Sequence, residues 1–289
     1  MNGSEVKAWR KDVRQRMLAA RAAMTMAVRE DLSRRLIEQL GPVLKNRPDP
    51  ISFYWPIKAE PDLKPLMRAL DEAGVAVCLP VCIKLGEPLL FRRWTKGAKM
   101  ERGFWDIPVP ADPTEVQPRT LIAPIVGYDS AHYRLGYGGG FFDRTLAKLG
   151  AAELGADAAA IGIGWSLFRL ATIHPQPHDI PMAAIVTERD TLSASSAPSS
   201  SAVCYADEAP DAYAGFASKD EIAAVLSGLR AVLPPERVGL ADYALWQLGK
   251  SAAAATAGPD PTRAELEALL PRIRDDALHA TLTALVGSI

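Results

Sequence analysis

Apolar residues recur at three- and four-residue intervals from the start of the chain: Val6, Trp9, Val13, Met17, Ala20 and Met24. That period marks one stripe of a helix, and the pattern predicts helix over residues 5–40. Lys7, Arg10, Lys11, Arg14 and Arg21 are read as lying off the stripe. Arg10 and Arg14 are one turn apart and share a face. They form a solvated basic face unless something anionic docks there.

Gly41-Pro42 and "NRPDP" predict the end of this helix. The period then changes. "ISFYW" at residues 51–55 reads as a strand and "DLKPLMRALDEAG" as a helix closing on Gly74. "VAVCLPVCI" and "PLLFRRW" read as strands, and "WDIPVP" as a proline-punctuated loop. "TLIAPIVGYD" is nearly all apolar, the pattern of a strand buried on both faces. "FFDRTLAKLG" predicts a helix ending at Gly150, followed by strands at "AAAIGIGW" and "MAAIVTE". Alternating strands and helices predict an α/β fold: a mixed, mostly parallel sheet covered by helices on both faces.

Composition shifts after residue 190. "TLSASSAPSSSA", residues 191–202, reads as a Ser/Ala/Pro linker. Residues 203–289 read as a small all-α domain. Ser218 with Glu221 and Thr262 with Glu265 are capping-box signatures ahead of apolar runs. Cys204, Asp207, Glu208 and Asp211 form an acidic cluster without histidine, a weak metal signal. The Leu/Ala-rich helices suit packing, self-association or a protein partner.

Charge narrows the function class. Lys and Arg total 33 against 34 Asp and Glu, so no global field draws the chain to nucleic acid or to a membrane surface. The apolar runs fall short of the roughly 18 residues that span a bilayer, and the expectation is a cytoplasmic protein. Three cysteines do not make a disulfide framework. Cys78 and Cys82 are expected as structural thiols on one strand.

Candidate chemistry concentrates at residues 134–144, "RLGYGGGFFDR". No G-x-x-x-x-G-K-[ST] loop occurs, and the dinucleotide fingerprint fails because Phe141 stands at its third glycine position. Gly136, Gly138, Gly139 and Gly140 still allow backbone N–H groups to turn toward an anion. The helix starting near Phe141 would aim its positive end there. Arg134 and Arg144 could add charge to phosphate oxygens, and Asp143 suits Mg²⁺ beside them. An unliganded glycine turn carrying an Asp–Arg pair fits the same residues.

"PIVGYDSAHYRLGYGGGFFDR", residues 124–144, resembles the signature of the 5-formyltetrahydrofolate cyclo-ligases, also called methenyltetrahydrofolate synthetases. "RKDVR", "YWPIKAEPDLKPL", "WDIPVP" and "PHDIPMAAIVTE" resemble further family segments in the same order, covering about residues 5–190. The resemblance implies ATP-dependent phosphorylation of the formyl oxygen of 5-formyltetrahydrofolate, attack by N10, and release of ADP and phosphate. It implies Arg134 and Asp143 as catalytic residues, with Asp143 holding Mg²⁺. ATP would be held by Arg10, Arg14, Arg134, Gly136, Gly138, Gly139, Gly140 and Phe141. Glu60 matches the family's folate contact, and Tyr54, Trp55 and Phe104 are candidates for stacking. His178 and Asp179 match a late segment and are expected to fix a loop as a pair; His132 is read as a loop residue. The chain departs from the pattern at Arg10, where many relatives have lysine, at Phe168 and Arg169, where a glutamine is common, and at Ala183. A protein that keeps the nucleotide site but has lost cyclisation is the alternative reading.

Overall fold

Thr25 divides the long N-terminal helix in two. The computed structural model describes residues 1–154 and 159–193, and in the C-terminal region residues 223, 225–227, 233, 238–247, 267, 269–270 and 276–286. Helix α1 runs Gly3–Ala23, opened by an Asn2/Glu5 capping box. Met24 then turns extended (φ −65°, ψ 136°). Thr25 caps α2, Met26–Leu44, by accepting the Val28 N–H. The predicted single helix 5–40 is therefore two helices. Pro42 lies inside α2 and the helix continues to Leu44, so Gly41-Pro42 does not stop it.

The main sheet has seven strands. β1 (Ile51–Ser52) and β2 (Val77–Val81) flank α3 (Lys64–Glu72) in sequence, and β3 (Leu90–Trp94) follows. The predicted loop "WDIPVP" instead supplies β5 (Pro108–Pro110), which pairs antiparallel with β4 (Met100–Arg102) in a separate two-stranded sheet. β6 (Thr120–Pro124) and β9 (Ala159–Ile163) are central, and β11 (Ala184–Val186) and β12 (Thr191–Ser193) close the far side. The order is β12-β11-β9-β6-β1-β2-β3. The five inner strands run parallel and the two edges antiparallel, so the mixed, mostly parallel sheet stands as expected. Residues 191–193, read as the start of a linker, form an edge strand.

"TLIAPIVGYD" is two strands rather than one. Pro124 lacks an N–H and ends β6. The chain then crosses into a three-stranded sheet of β7 (Gly127–Asp129), β8 (Arg134–Leu135) and β10 (Arg169–Leu170). Ile125 N–H still bonds Ile163, whereas Val126 N–H bonds Leu135, so the switch takes one residue. A Cβ built at Gly127 would lie 2.7 Å from Met17 Sδ and 3.2 Å from the Phe168 carbonyl. Glycine at this position admits α1 against the small sheet.

Alternation along the strands divides the core between two faces. Val77, Leu79, Ile122 and Ile161 pack with α1, α2 and α3, whereas Cys78, Leu121 and Ala123 pack under α4 (Phe141–Leu154) through Leu146 and Leu149. Regular helix in α4 is interrupted at Gly150 (φ 16°, ψ 168°).

C-terminal helices join the first of these layers. α5 (Val238–Gln247) lies along α1 so closely that a Cβ at Gly239 would be 2.9 Å from the Ala19 carbonyl oxygen. α6 (Asp276–Val286) packs on α5 and on the 3-10 turn Ser166–Phe168. Leu240, Leu245, Leu282 and Leu285 are fully or almost fully buried in the same core as Val13 and Met17. Ser218, Glu221, Thr262, Glu265, Cys204, Asp207, Glu208 and Asp211 lie outside the described residues. No helix among the described residues is long and apolar enough to cross a membrane.

Candidate functional site

Helix α1 carries Arg10, Arg14, Met17 and Arg21 at helical spacing on one face, and that face looks onto the glycine stretch and the segments beside it. At its N-terminal end, Arg10 is consumed by the 173–179 loop. Its Nε donates to the Ile173 carbonyl (3.0 Å), its Nη2 to the His174 carbonyl (3.0 Å) and to Asp179 Oδ2 (2.5 Å). Arg10 is thus a tie between helix and loop rather than an open hand for phosphate. His178 is exposed and 3.9 Å from Asp179, so an arginine, not the expected His–Asp pair, fixes this loop. Burial works against the Asp179 charge, yet the Arg10 hydrogen bond and the Gln176 N–H hold its carboxyl below the ordinary value.

One turn further on, Arg14 Nε donates to the Gly136 carbonyl at 2.7 Å. Its guanidinium packs over Gly138, where a Cβ would sit 3.3 Å from Cζ. Burial, and then the neighbouring Arg10 charge, push its pKa down. Gly138 and Gly140 adopt positive φ (90° and 64°), which lets the chain fold back ahead of α4. Arg144 grips the same turn through the Gly139 carbonyl (2.5 Å) and covers the Phe141 ring at 5.1 Å. Residues 137–140 donate no backbone hydrogen bond among the described residues. The carbonyls are held by arginines and the N–H groups are left over at a helix N-terminus, which is the donor set of an anion nest.

Arg134 is buried. Its Nη2 donates to Asp143 Oδ1 at 2.7 Å and its Nη1 to the Ile180 carbonyl at 3.2 Å. It orients Asp143 from below instead of facing phosphate. The second carboxylate oxygen of Asp143 accepts no hydrogen bond among the described residues. No cluster of three carboxylate, histidine or cysteine ligands exists among those residues. A lone half-exposed carboxylate beside an anion nest fits Mg²⁺ that arrives with a polyphosphate, because Mg²⁺ keeps several waters and takes few protein ligands.

Glu60 occupies the other side of Tyr137. It is buried on a loop where Lys58 and Ala59 have positive φ, and Trp165 Nε1 holds that loop through the Ala59 carbonyl (3.2 Å). Tyr137 Oη donates to Glu60 Oε1 at 2.6 Å and the Ile57 N–H to Oε2 at 2.8 Å. Burial pushes the Glu60 carboxyl up from its ordinary value, and Arg21 and Tyr137 pull it partly back. Arg21 was expected on the solvated face, but it is 1% exposed and donates to Tyr137 Oη. Neither Arg21 nor Tyr137 was singled out from sequence. The signal was present: Arg21 falls four residues after Met17, on the buried stripe.

Tyr54 does not take the stacking role expected of it. It is buried with its hydroxyl on the Pro61 carbonyl (3.0 Å), so it packs the core and offers no stacking face. Trp55 is half-buried with the Lys64 ammonium 5.4 Å from its ring. Phe104 is exposed. Beside it Trp105, also exposed, meets Phe141 edge-on at 5.4 Å, giving the glycine turn an aromatic wall. His132 is a loop residue with positive φ. Cys78 is buried, its thiol pushed up to about 12 by desolvation, while Cys82 lies past the end of β2. Phe168 is fully buried.

The profile of the 5-formyltetrahydrofolate cyclo-ligase family matches residues 6–188, which includes every residue of this site. The chain belongs to that family. A 5-formyltetrahydrofolate cyclo-ligase of Mycolicibacterium smegmatis is 29% identical over 185 residues, covering 61% of this chain and 92% of the relative. The Escherichia coli K12 cyclo-ligase is 29% identical over 143 residues, 47% of this chain and 76% of its own. Among solved structures, the 5,10-methenyltetrahydrofolate synthetase of Aquifex aeolicus superposes with a TM-score of 0.56 at 25% identity, covering 66% of this chain and 95% of that one. A synthetase from Mycoplasma pneumoniae, at 21% identity and a TM-score of 0.50, shares the fold over 62% of this chain. Cyclo-ligase membership makes the chain a ligase of folate metabolism. The matched span ends before the C-terminal helices, which are additional to it.

Proposed function

We propose that this cyclo-ligase closes 5-formyltetrahydrofolate to 5,10-methenyltetrahydrofolate by moving the γ-phosphoryl group of ATP onto the formyl oxygen. The observation that carries the proposal is the run of N–H groups at residues 137–140, unpaired among the described residues, ahead of α4 and beside Asp143. Phosphoryl transfer asks the protein mainly for positioning and charge neutralisation. The glycine turn supplies N–H donors to the triphosphate, with Arg14 and Arg144 holding its shape and adding positive charge. Arg134 fixes Asp143, whose second oxygen would hold Mg²⁺; when bound, the ion neutralises charge on the phosphates. Phe141, Trp105 and Phe104 form the wall next to the turn. Glu60 accepts N–H groups of the reduced pterin.

A formyl oxygen is a poor leaving group. Once phosphorylated it departs as phosphate when the N10 lone pair attacks the formyl carbon; the C–O bond breaks, N10 loses its proton to solvent, and the bridge carries the positive charge. Holding N10 against that carbon supplies the rest by proximity. No protein nucleophile is needed.

The test is formation of the methenyl chromophore from 5-formyltetrahydrofolate and Mg-ATP, followed by absorbance. Asp143→Asn is expected to stay folded and lose about 100-fold or more in kcat, the scale of removing one electrostatic group from a transition state. Wild-type protein that folds and gives no product would defeat the proposal. Unchanged Mg²⁺ dependence in the variant would remove Asp143 from the metal role.

A further inference from the structure

Arg21 is the least exposed charged side chain of α1, and its Nε and Nη1 have no hydrogen-bond partner among the described residues. Burying two unpaired donors is unfavourable, and a leucine or methionine at this position would remove that cost. Among the described residues, the one side-chain hydrogen bond of Arg21 goes to Tyr137 Oη, with its guanidinium 5.6 Å from that ring. Tyr137 Oη in turn donates to Glu60. The direction of the chain is fixed by chemistry. A guanidinium can only donate, so the hydroxyl accepts from Arg21 and must point its own proton at the Glu60 carboxylate.

We propose that Arg21, acting through Tyr137, is a positioning residue for Glu60 and sets recognition of the reduced pterin. The inference rests on the reading of Glu60 as the pterin acceptor. Tyr137 ties one carboxylate oxygen and the Ile57 N–H ties the other, which locks the plane of the group. Each oxygen keeps a lone pair for a pterin N–H. The Arg21 charge favours the ionised carboxylate that those N–H groups need, against the burial that opposes it. Charged and titratable groups around the carboxylate are Arg21 from α1, Lys58 on its own loop, Tyr137 from the glycine stretch, and Tyr54, itself near Asp62. Arg21 and Tyr137 lie on different elements, so the device couples α1 and the nucleotide turn to the folate side of the site.

Steady-state kinetics of Tyr137→Phe, Arg21→Lys, Arg21→Met and Glu60→Gln, alone and combined, tests this. Tyr137→Phe is nearly isosteric and removes only the hydroxyl. It is expected to raise KM for 5-formyltetrahydrofolate about ten-fold, the worth of one hydrogen bond to a charged group, and to leave KM for ATP within about two-fold. Arg21→Met is expected to do the same and Arg21→Lys to recover part of the loss. In a Glu60→Gln background, neither change is expected to add more than about two-fold, because the three residues act as a unit. An unchanged folate KM in Tyr137→Phe, or full additivity with Glu60→Gln, would overturn the inference. An unchanged folate KM in Glu60→Gln itself would instead overturn the underlying reading of Glu60.

Discussion

At the scale of single residues, the glycine stretch separates positions that need glycine from one that does not. Gly138 has φ 90° and lies under Arg14, whereas a Cβ at Gly136 would meet nothing within 4 Å. Gly138→Ala therefore forces an L-residue into the left-handed region, at about 1–2 kcal/mol, and pushes on the guanidinium that holds the turn. It is expected to lower the melting temperature and raise KM for ATP, while Gly136→Ala stays close to wild type. Thermal unfolding and ATP titration of the two variants check this; equal behaviour would remove the left-handed turn from the account. The sequence displayed these glycines plainly. It did not display that Arg14 holds the Gly136 carbonyl, because that pairing joins residues 122 apart in the chain. Arg21 was assigned to solvent from its charge, yet it is buried with its guanidinium donating a hydrogen bond to Tyr137 Oη.

Elements were legible in kind and less so at their boundaries. Period and β-branching located the central strands β6 and β9 and helices α3 and α4. Breaks were missed where a local cap outweighed a continuous stripe, as at Thr25, and where an all-apolar run switched sheets at Pro124. The 173–179 loop was expected to be self-fixed by His178 and Asp179. It is instead tied across to α1 by Arg10, a contact that no local pattern announces. Asp179→Asn would leave Arg10 half-buried without its counter-charge, a loss of about 3 kcal/mol at neutral pH. The Asp179 carboxyl is held below its ordinary value when folded. Its contribution is therefore full above the unfolded pKa, about 3.9, and is lost as pH falls through the lower folded value. Denaturation of wild type and variant from pH 7 to pH 3 should show the stability gap narrowing at the acid end; a constant gap would mean the carboxylate charge is not what holds the loop.

On the scale of the whole molecule, the parallel sheet places β6 so that the chain leaves its carboxyl end for the small sheet and then the glycine turn, the location at which open α/β sheets bind ligands. α1 spans the site from the 173–179 loop through the glycine turn to Glu60, and α5 and α6 pack behind it. The arrangement makes the C-terminal helices part of the support for the basic helix, something that the composition break after residue 190 hides. On the proposed function, these parts serve one event, transfer of a phosphoryl group to the formyl oxygen. Reaction of 5-formyltetrahydrofolate labelled with ¹⁸O in the formyl group, with Mg-ATP and mass analysis of the released phosphate, tests that event directly. One labelled oxygen is expected in each phosphate released, in step with methenyl product. Methenyl product accompanied by unlabelled phosphate would contradict it.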